Sequence, residues 1–182
     1  ASNEDNEFYS PIKVNENPLQ DVACIILGLE PIEIQPYLSF KYVNQKPFIS
    51  EKYVTLSEFG SCVDKHWKVD DGWQTLVNYL NDKGYKVVVI SKEKTNLKGV
   101  IDKSGDIDIN ERCIDILHAD MHFGVSSGLS WLAWGLGTHV VMISDVTPNW
   151  HEFKSGITRI NTNNLDRVNY ETKGVSSIKE VI

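Results

Sequence analysis

Residues 71–91 read DGWQTLVNYLNDKGYKVVVIS, and this stretch decides the fold. Asp71 followed by Gln74 has the form of a capping box, and Trp73, Leu76, Val77 and Leu80 recur at the spacing of one helical face. Lys83 and Gly84 close that helix: the first carries a charge suited to the negative end of the helix dipole, and the second enters the left-handed region freely. Tyr85 to Ser91 is then apolar without alternation. A strand with one wet face would alternate, so this run predicts a parallel strand covered on both sides.

Outward from this unit the pattern repeats. Upstream, Tyr53-Val54-Thr55-Leu56 is a short strand. Downstream, Asp108 with Glu111 marks a helix start that carries Ile109, Cys113, Ile116 and Leu117 inward. Met121 to Val125 predicts a strand, Gly128 to Leu136 a helix, His139 to Ser144 another buried strand, and Thr158 to Asn161 a last strand. Ser177 with Glu180 opens a helix that the chain does not complete, which reads as truncation of a longer protein. The sum predicts a Rossmann-like α/β domain over residues 51–182, a doubly wound and mostly parallel open sheet.

Residues 1–50 form a different region. Up to about residue 16 the chain is a polar lead-in. Asn17-Pro18-Leu19-Gln20 then predicts a helix with Pro18 at its first position, an apolar face of Leu19, Val22, Ala23, Ile26 and Leu27, and Gly28 as its stop. Pro31, Pro36 and Pro47 break the following stretch into a connecting arm. That arm has to dock, because Ile32, Ile34, Tyr37, Leu38 and Phe40 would otherwise face water.

The totals narrow the function. A chain of 182 residues that is 41% hydrophobic buries a sizeable core, and its formal net charge of −7 argues against nucleic-acid and anionic-membrane partners. An anionic small ligand remains open to it, since a few placed cations and backbone amides suffice. Cys24, Cys62 and Cys113 have neither disulfide-framework nor structural-zinc spacing, which predicts a reducing compartment, cytoplasmic in the simplest case, and no metal. No apolar run approaches the ~18 residues of a membrane span, and the acidic start is unlike a signal peptide.

In a sheet of this kind, ligands bind beyond the carboxyl ends of the strands. Three loops there carry candidate chemistry. In Gly124-Val125-Ser126-Ser127-Gly128-Leu129-Ser130-Trp131 a strand enters a helix through two serines and a glycine, which suits a phosphate held by first-turn amides and hydroxyls. An ordinary serine-capped helix fits the same residues. The helix that follows has almost no polar face, as expected beneath a ligand cleft, at an interdomain seam or in a central core. The second loop, Ser57 to Trp67, is long and combines glycine, serines and Lys65, a point charge within reach of a diphosphate; a solvated lysine is the alternative. His66 reads as structural, and Trp67 and Trp73 as packing. The third, Ser91-Lys92-Glu93, would meet a base or ribose, or else is a charged surface loop. The chain has no G-x-G-x-x-G, no P-loop and no G-x-S-x-G nucleophile elbow.

Taken together, EFGSxxxKHW (Glu58 to Trp67), YKVVVISKE (Tyr85 to Glu93) and GVSSGLSWLAW (Gly124 to Trp134) resemble the C-terminal domain of bacterial heptosyltransferases of the GT-B fold. The autotransporter heptosyltransferases, which use ADP-heptose, are the nearest likeness, over roughly residues 9–160. The segment PLxxxAxxILGL (Pro18 to Leu29) is similar to that family's interdomain segment. The resemblance implies a nucleotide-sugar donor as substrate. Lys65 would contact the diphosphate, with Ser57 and Ser61 beside it, and Ser126, Ser127, Gly128 and Leu129 would bind phosphate at the helix start. Ser91, Lys92 and Glu93 would lie near base and ribose.

The chain departs from the pattern in two ways. Related lipopolysaccharide heptosyltransferases carry Asp-Thr-Gly where this chain has Ser126-Ser127-Gly128. No cysteine follows Pro148 to Phe153, where the autotransporter enzymes have a cysteine-rich, iron-binding segment. The family's catalytic base belongs to an N-terminal, acceptor-binding domain missing here, so this part alone is expected to be inactive, with a protein or glycan as acceptor. A non-catalytic Rossmann-like binding module and half of a sugar-nucleotide epimerase are the other readings the residues allow.

Overall fold

The computed structural model describes residues 17–39, 44–143 and 151–160. The lead-in, Phe40, Ser144, Asn161 and the helix start at Ser177 lie outside the described residues. In chain order the elements are α1 (Leu19–Ile26), β1 (Tyr53–Ser57), a 3₁₀ turn (Val63–Lys65), α2 (Gly72–Asp82), β2 (Lys86–Val89), β3 (Ile101–Asp102), α3 (Ile109–Leu117), β4 (His122–Gly124), α4 (Gly128–Gly135), β5 (Val140–Ile143) and β6 (Ile157–Ile160). The six strands form one sheet in the order β3-β2-β1-β4-β5-β6. Every pairing is parallel. This is the predicted open doubly wound sheet; the short edge strand β3 had no sequence signal of its own.

Side-chain alternation sends the strands' residues to two cores. Val54, Leu56, Val87, Val89, Phe123, Val141 and Ile143 meet Leu76, Val77 and Leu80 of α2. Tyr53, Val88, Ile90, Val140 and Met142 meet Ile116 of α3 and Ala133 and Trp134 of α4 on the other face. Trp67 and Trp73 are packing residues, edge to face at 5.0 Å, and a Cβ on Gly72 would stand only 3.0 Å from the Trp67 ring.

Helix ends depart from the sequence in instructive ways. Asp71 precedes α2 with φ +54° and no side-chain cap bond. Gln74 instead donates to Asn78 Oδ1 and the Lys98 carbonyl and accepts from Lys98 N, so the capping box does not form and Gln74 pins the 97–99 loop. Gly84 does close α2 in the left-handed region, at φ +86°. Asp108 caps α3 as expected, accepting from Asn110 N at 2.8 Å. Ile109, however, is exposed rather than inward. α1 begins at Leu19, which leaves Pro18 in the cap position. Gln20 uses its amide oxygen on Ile34 N (3.1 Å).

The arm docks by polar anchors more than by its apolar side chains. Glu33 accepts from the amides of Lys154 and Ser155 and from the Ser155 hydroxyl. Gln35 Nε2 donates to the Trp134 carbonyl (2.5 Å). Leu38 lies so close over α4 that a Cβ on Gly135 would meet it at 2.8 Å. Ile32, Ile34 and Tyr37 stay exposed, contrary to expectation; Tyr37 is 93% accessible. Among the described residues, no helix is long and apolar enough to cross a membrane.

Candidate functional site

From β1 the sheet grows one way through β2 and β3 and the other way through β4, β5 and β6. The order reverses between β1 and β4, and the crevice that such a reversal opens lies outside the carboxyl ends of those strands, here Ser57 and Gly124. The two loops leaving these ends touch: a Cβ on Gly60 would sit 3.4 Å from the Ser126 carbonyl oxygen and from Val125 Cγ2. His66 secures the first loop, its Nε2 2.9 Å from the Gly60 carbonyl, with its ring against Phe59.

Above the loops lies a cleft of about 680 Å³. One end is polar, lined by Gly60, Ser61, Lys92, Glu93, Ser127 and Gly128; the other is apolar, with Pro36 and Leu38 from the arm and Leu129, Trp131, Leu132 and Trp134 from α4. Trp134 stacks on Phe153 (4.7 Å, 8°), which makes the floor rigid. The apolar helix therefore does lie beneath a cleft. Ser127 stands at the cap of α4 with extended backbone, yet its hydroxyl makes no cap bond. That Oγ is buried without any hydrogen-bond partner, so an ordinary serine cap does not account for it.

Six of the ten candidate residues line this cleft: Ser61, Lys92, Glu93, Ser127, Gly128 and Leu129. The other four do not. Ser91 is fully buried and accepts from the Glu58 amide at 2.9 Å. Ser126 is buried as well. Lys65 ends the 3₁₀ turn, partly exposed, and its charge helps hold the His151 pKa low, behind the larger effect of burial. Ser57 turns into the interior, where its Oγ lies 3.1 Å from Nε2 of His122.

His122 and Glu58 were not singled out in the sequence. His122 is completely buried, with Thr55 Oγ1 3.0 Å from its Nδ1. Burial pushes its pKa down to about 3, so the ring is neutral, and a neutral ring has one donor and one acceptor nitrogen. One of the two hydroxyls therefore donates to it and the other accepts. A side chain at Gly124 would complete a collision: its Cβ would lie 2.5 Å from Ser57 Oγ, 2.9 Å from His122 Nε2 and 3.1 Å from Ser130 Oγ. Ser130 Oγ donates to the Val125 carbonyl (2.7 Å), so a polar strip runs from mid-sheet to the start of α4. Its only hint in the sequence is a histidine inside an otherwise apolar strand.

An all-parallel sheet with a cleft of mixed polarity at its reversal point defines a Rossmann-like α/β domain of the glycosyltransferase type. No family model matches the chain. Autotransporter heptosyltransferase BAHTCr of Citrobacter rodentium is 32% identical over 143 residues, which is 74% of this chain and 34% of that protein. Autotransporter heptosyltransferase Aah of Escherichia coli is 34% identical over 140 residues, 72% of this chain and 35% of that protein. The structure of TibC, a dodecameric iron-containing heptosyltransferase in complex with ADP-D-β-D-heptose, superposes with a TM-score of 0.74 at 27% identity, covering 85% of this chain and 42% of that one. The chain is thus a homologue of the autotransporter heptosyltransferases and spans about a third of the length of the relatives it matches. TibC is iron-containing, but among the residues described here no three His, Cys, Asp or Glu side chains cluster to hold a metal. Cys113 is buried in α3, Cys62 lies exposed in a loop, and Cys24 is on α1. These residues do not fit an iron site.

Proposed function

We propose that this chain is the donor-binding part of a glycosyltransferase that transfers a heptose from an ADP-heptose-like nucleotide sugar to a protein or glycan acceptor. The observation that carries the reading is the Ser127 hydroxyl, left without a cap bond where the start of α4 meets a cleft shared with Ser61, Lys92 and Glu93. First-turn amides, the helix dipole and a hydroxyl together suit a phosphate group. Heptosyltransferase homologues, one of them solved with ADP-heptose, support the same donor class.

In this reading the diphosphate lies between Ser61 and the Ser127-Gly128 turn, and Lys92 and Glu93 face the nucleoside, where a carboxylate accepts from ribose hydroxyls. Lys65 swings in on its flexible stem when the donor is present. As the bond to the sugar breaks, negative charge develops on the departing diphosphate, and donors already aimed at it lower the barrier. A carboxylate from an acceptor-binding domain takes the proton of the attacking hydroxyl. Ser57, Ser91 and Ser126 support the loops from below.

Calorimetric titration with ADP, UDP, GDP and CMP tests the reading. The expected outcome is selective binding of ADP with a dissociation constant on the order of 100 µM, about −5.5 kcal/mol, weakened by Lys65→Ala. No heat from any nucleotide up to millimolar concentration would count against it.

A further inference from the structure

Glu58 directly follows β1, next to the cleft residues Phe59, Gly60 and Ser61, yet its side chain does not line the cleft. It is only 6% exposed. One of its oxygens, Oε2, is buried with no hydrogen-bond partner, while the carboxylate accepts from the Thr95 side chain. Thr95 stands in the loop that carries Lys92 and Glu93. Its Oγ1 also accepts from Leu97 N (3.1 Å), and its own amide donates to Ser104 Oγ (3.2 Å). Ser104 is fastened in turn to Asp102 Oδ1 (2.5 Å), and Lys94 Nζ donates to the Ser104 carbonyl (2.7 Å). The Glu58 amide is held by Ser91, and Ser91's carbonyl accepts from Gly105 N at 2.9 Å. Glu58 thus joins the end of β1 to both loops that wall the polar end of the cleft.

We propose that Glu58 is the positioning residue of the 91–97 loop, and that its protonation state sets how firmly the loop holds Lys92 and Glu93 in the cleft wall. A buried carboxylate with an unsatisfied oxygen is costly, and water reaches that oxygen only when the loop lifts. The neutral acid avoids much of that cost. Burial raises the Glu58 pKa and the charge of Asp102 adds to it, against the opposing hydrogen bond from Thr95. Of these charged neighbours, Asp102 faces it from β3 and is itself paired with Lys94 at 3.9 Å, and the Arg112 guanidinium of α3 acts on Asp102. With the loop closed Glu58 holds its proton above the ordinary carboxylate range; with the loop open it has the ordinary pKa. Opening therefore becomes easier as pH rises between those two values, by up to about tenfold per pH unit, and levels off beyond them. The consequence for nucleotide binding rests on the function proposed above; the loop behaviour does not.

Amide hydrogen exchange of the whole chain, with protection factors normalised for the intrinsic pH dependence, tests this at Thr95 and Leu97, with Val88 and Val89 of β2 as internal reference. In the unaltered protein, Thr95 and Leu97 are expected to lose protection through the Glu58 titration while β2 does not change. Glu58→Gln keeps an acceptor for Thr95 without a charge, and should hold protection high and flat with pH. Thr95→Val removes the hydroxyl at constant shape, and should leave the loop poorly protected at every pH. Identical pH profiles for Glu58→Gln and the unaltered chain would overturn the proposal. ADP titration separates the two readings: if ADP fails to bind while exchange follows Glu58, the donor assignment falls and the positioning role stands.

Discussion

The two faces of the sheet are built from neighbouring residues of the same strands and differ in kind. The face under α2 is apolar throughout, with Val54, Leu56, Val87 and Val89 against Leu76, Val77 and Leu80. The face under α3 and α4 carries Thr55, Ser57, His122 and Ser130, all buried, together with Arg112 and Asp115. Burying polar groups costs free energy unless they pair, and most of these do: Arg112 donates to the Lys103 and Gly105 carbonyls (2.5 and 2.9 Å), and Lys103 pairs with Asp115. One face supplies stability in the ordinary way. The other accepts a more expensive interior and in exchange leads hydrogen-bonding groups to the mouth of the cleft.

Substitutions should separate the two faces. Leu56→Ala on the apolar face is expected to cost about 2–5 kcal/mol, read as a lower urea midpoint, with nucleotide affinity unchanged in the folded fraction. On the polar face Gly124→Ala forces a methyl among Ser57, His122 and Ser130, and should cost about 1–3 kcal/mol while also displacing the start of α4. If Gly124→Ala proves neutral, the strip is less tightly packed than described.

The pH dependence sharpens the contrast. His122 has a folded pKa of about 3, below its unfolded value, so the unfolded chain binds its proton first. Its contribution is fully present above about pH 6.5 and is lost on acidification from there towards pH 3, at about 1.4 kcal/mol per pH unit. Urea unfolding from pH 7 to 4.5 should show this slope, and His122→Asn should remove it. Glu58 acts in the opposite sense: its pKa is raised, so its contribution is present at low pH and is lost as pH rises through the raised value. Glu58→Gln therefore gains stability relative to the unaltered chain at neutral pH, on the order of 1 kcal/mol. The smallest effect belongs to Ser127→Ala. Because Ser127 Oγ bonds nothing, stability should change by less than about 0.5 kcal/mol. Nucleoside-diphosphate affinity is where the loss should appear, and equal affinity would take that hydroxyl out of the site.

Much of the architecture was legible before any coordinates. Continuous apolar runs such as Tyr85 to Ser91 and His139 to Ser144 permit little besides covered parallel strands, and Gly84 and Asp108 mark helix ends through local chemistry. Ser127-Gly128, Ser61 and Lys92-Glu93 were legible as cleft residues because strand-to-helix loops in such a sheet emerge at one edge. Local signals failed where a distant partner competed. Gln74 fits a capping box but is taken by Lys98, twenty-four residues away. Ser57 and Ser91 sit in the right loops, yet strand alternation and the partners His122 and Glu58 turn them inward.

By itself, then, the sequence determined the layered parallel sheet, the edge on which ligands bind and the kind of loops found there, because periodicity, capping and glycine placement act over a few residues. The tertiary structure alone decided which serines face the cleft, that His122 is neutral and enclosed, and that Glu58 buries an unsatisfied oxygen beneath the 91–97 loop. Those outcomes depend on which side chains strand pairing brings within 3 Å across tens of residues, and on water being excluded there.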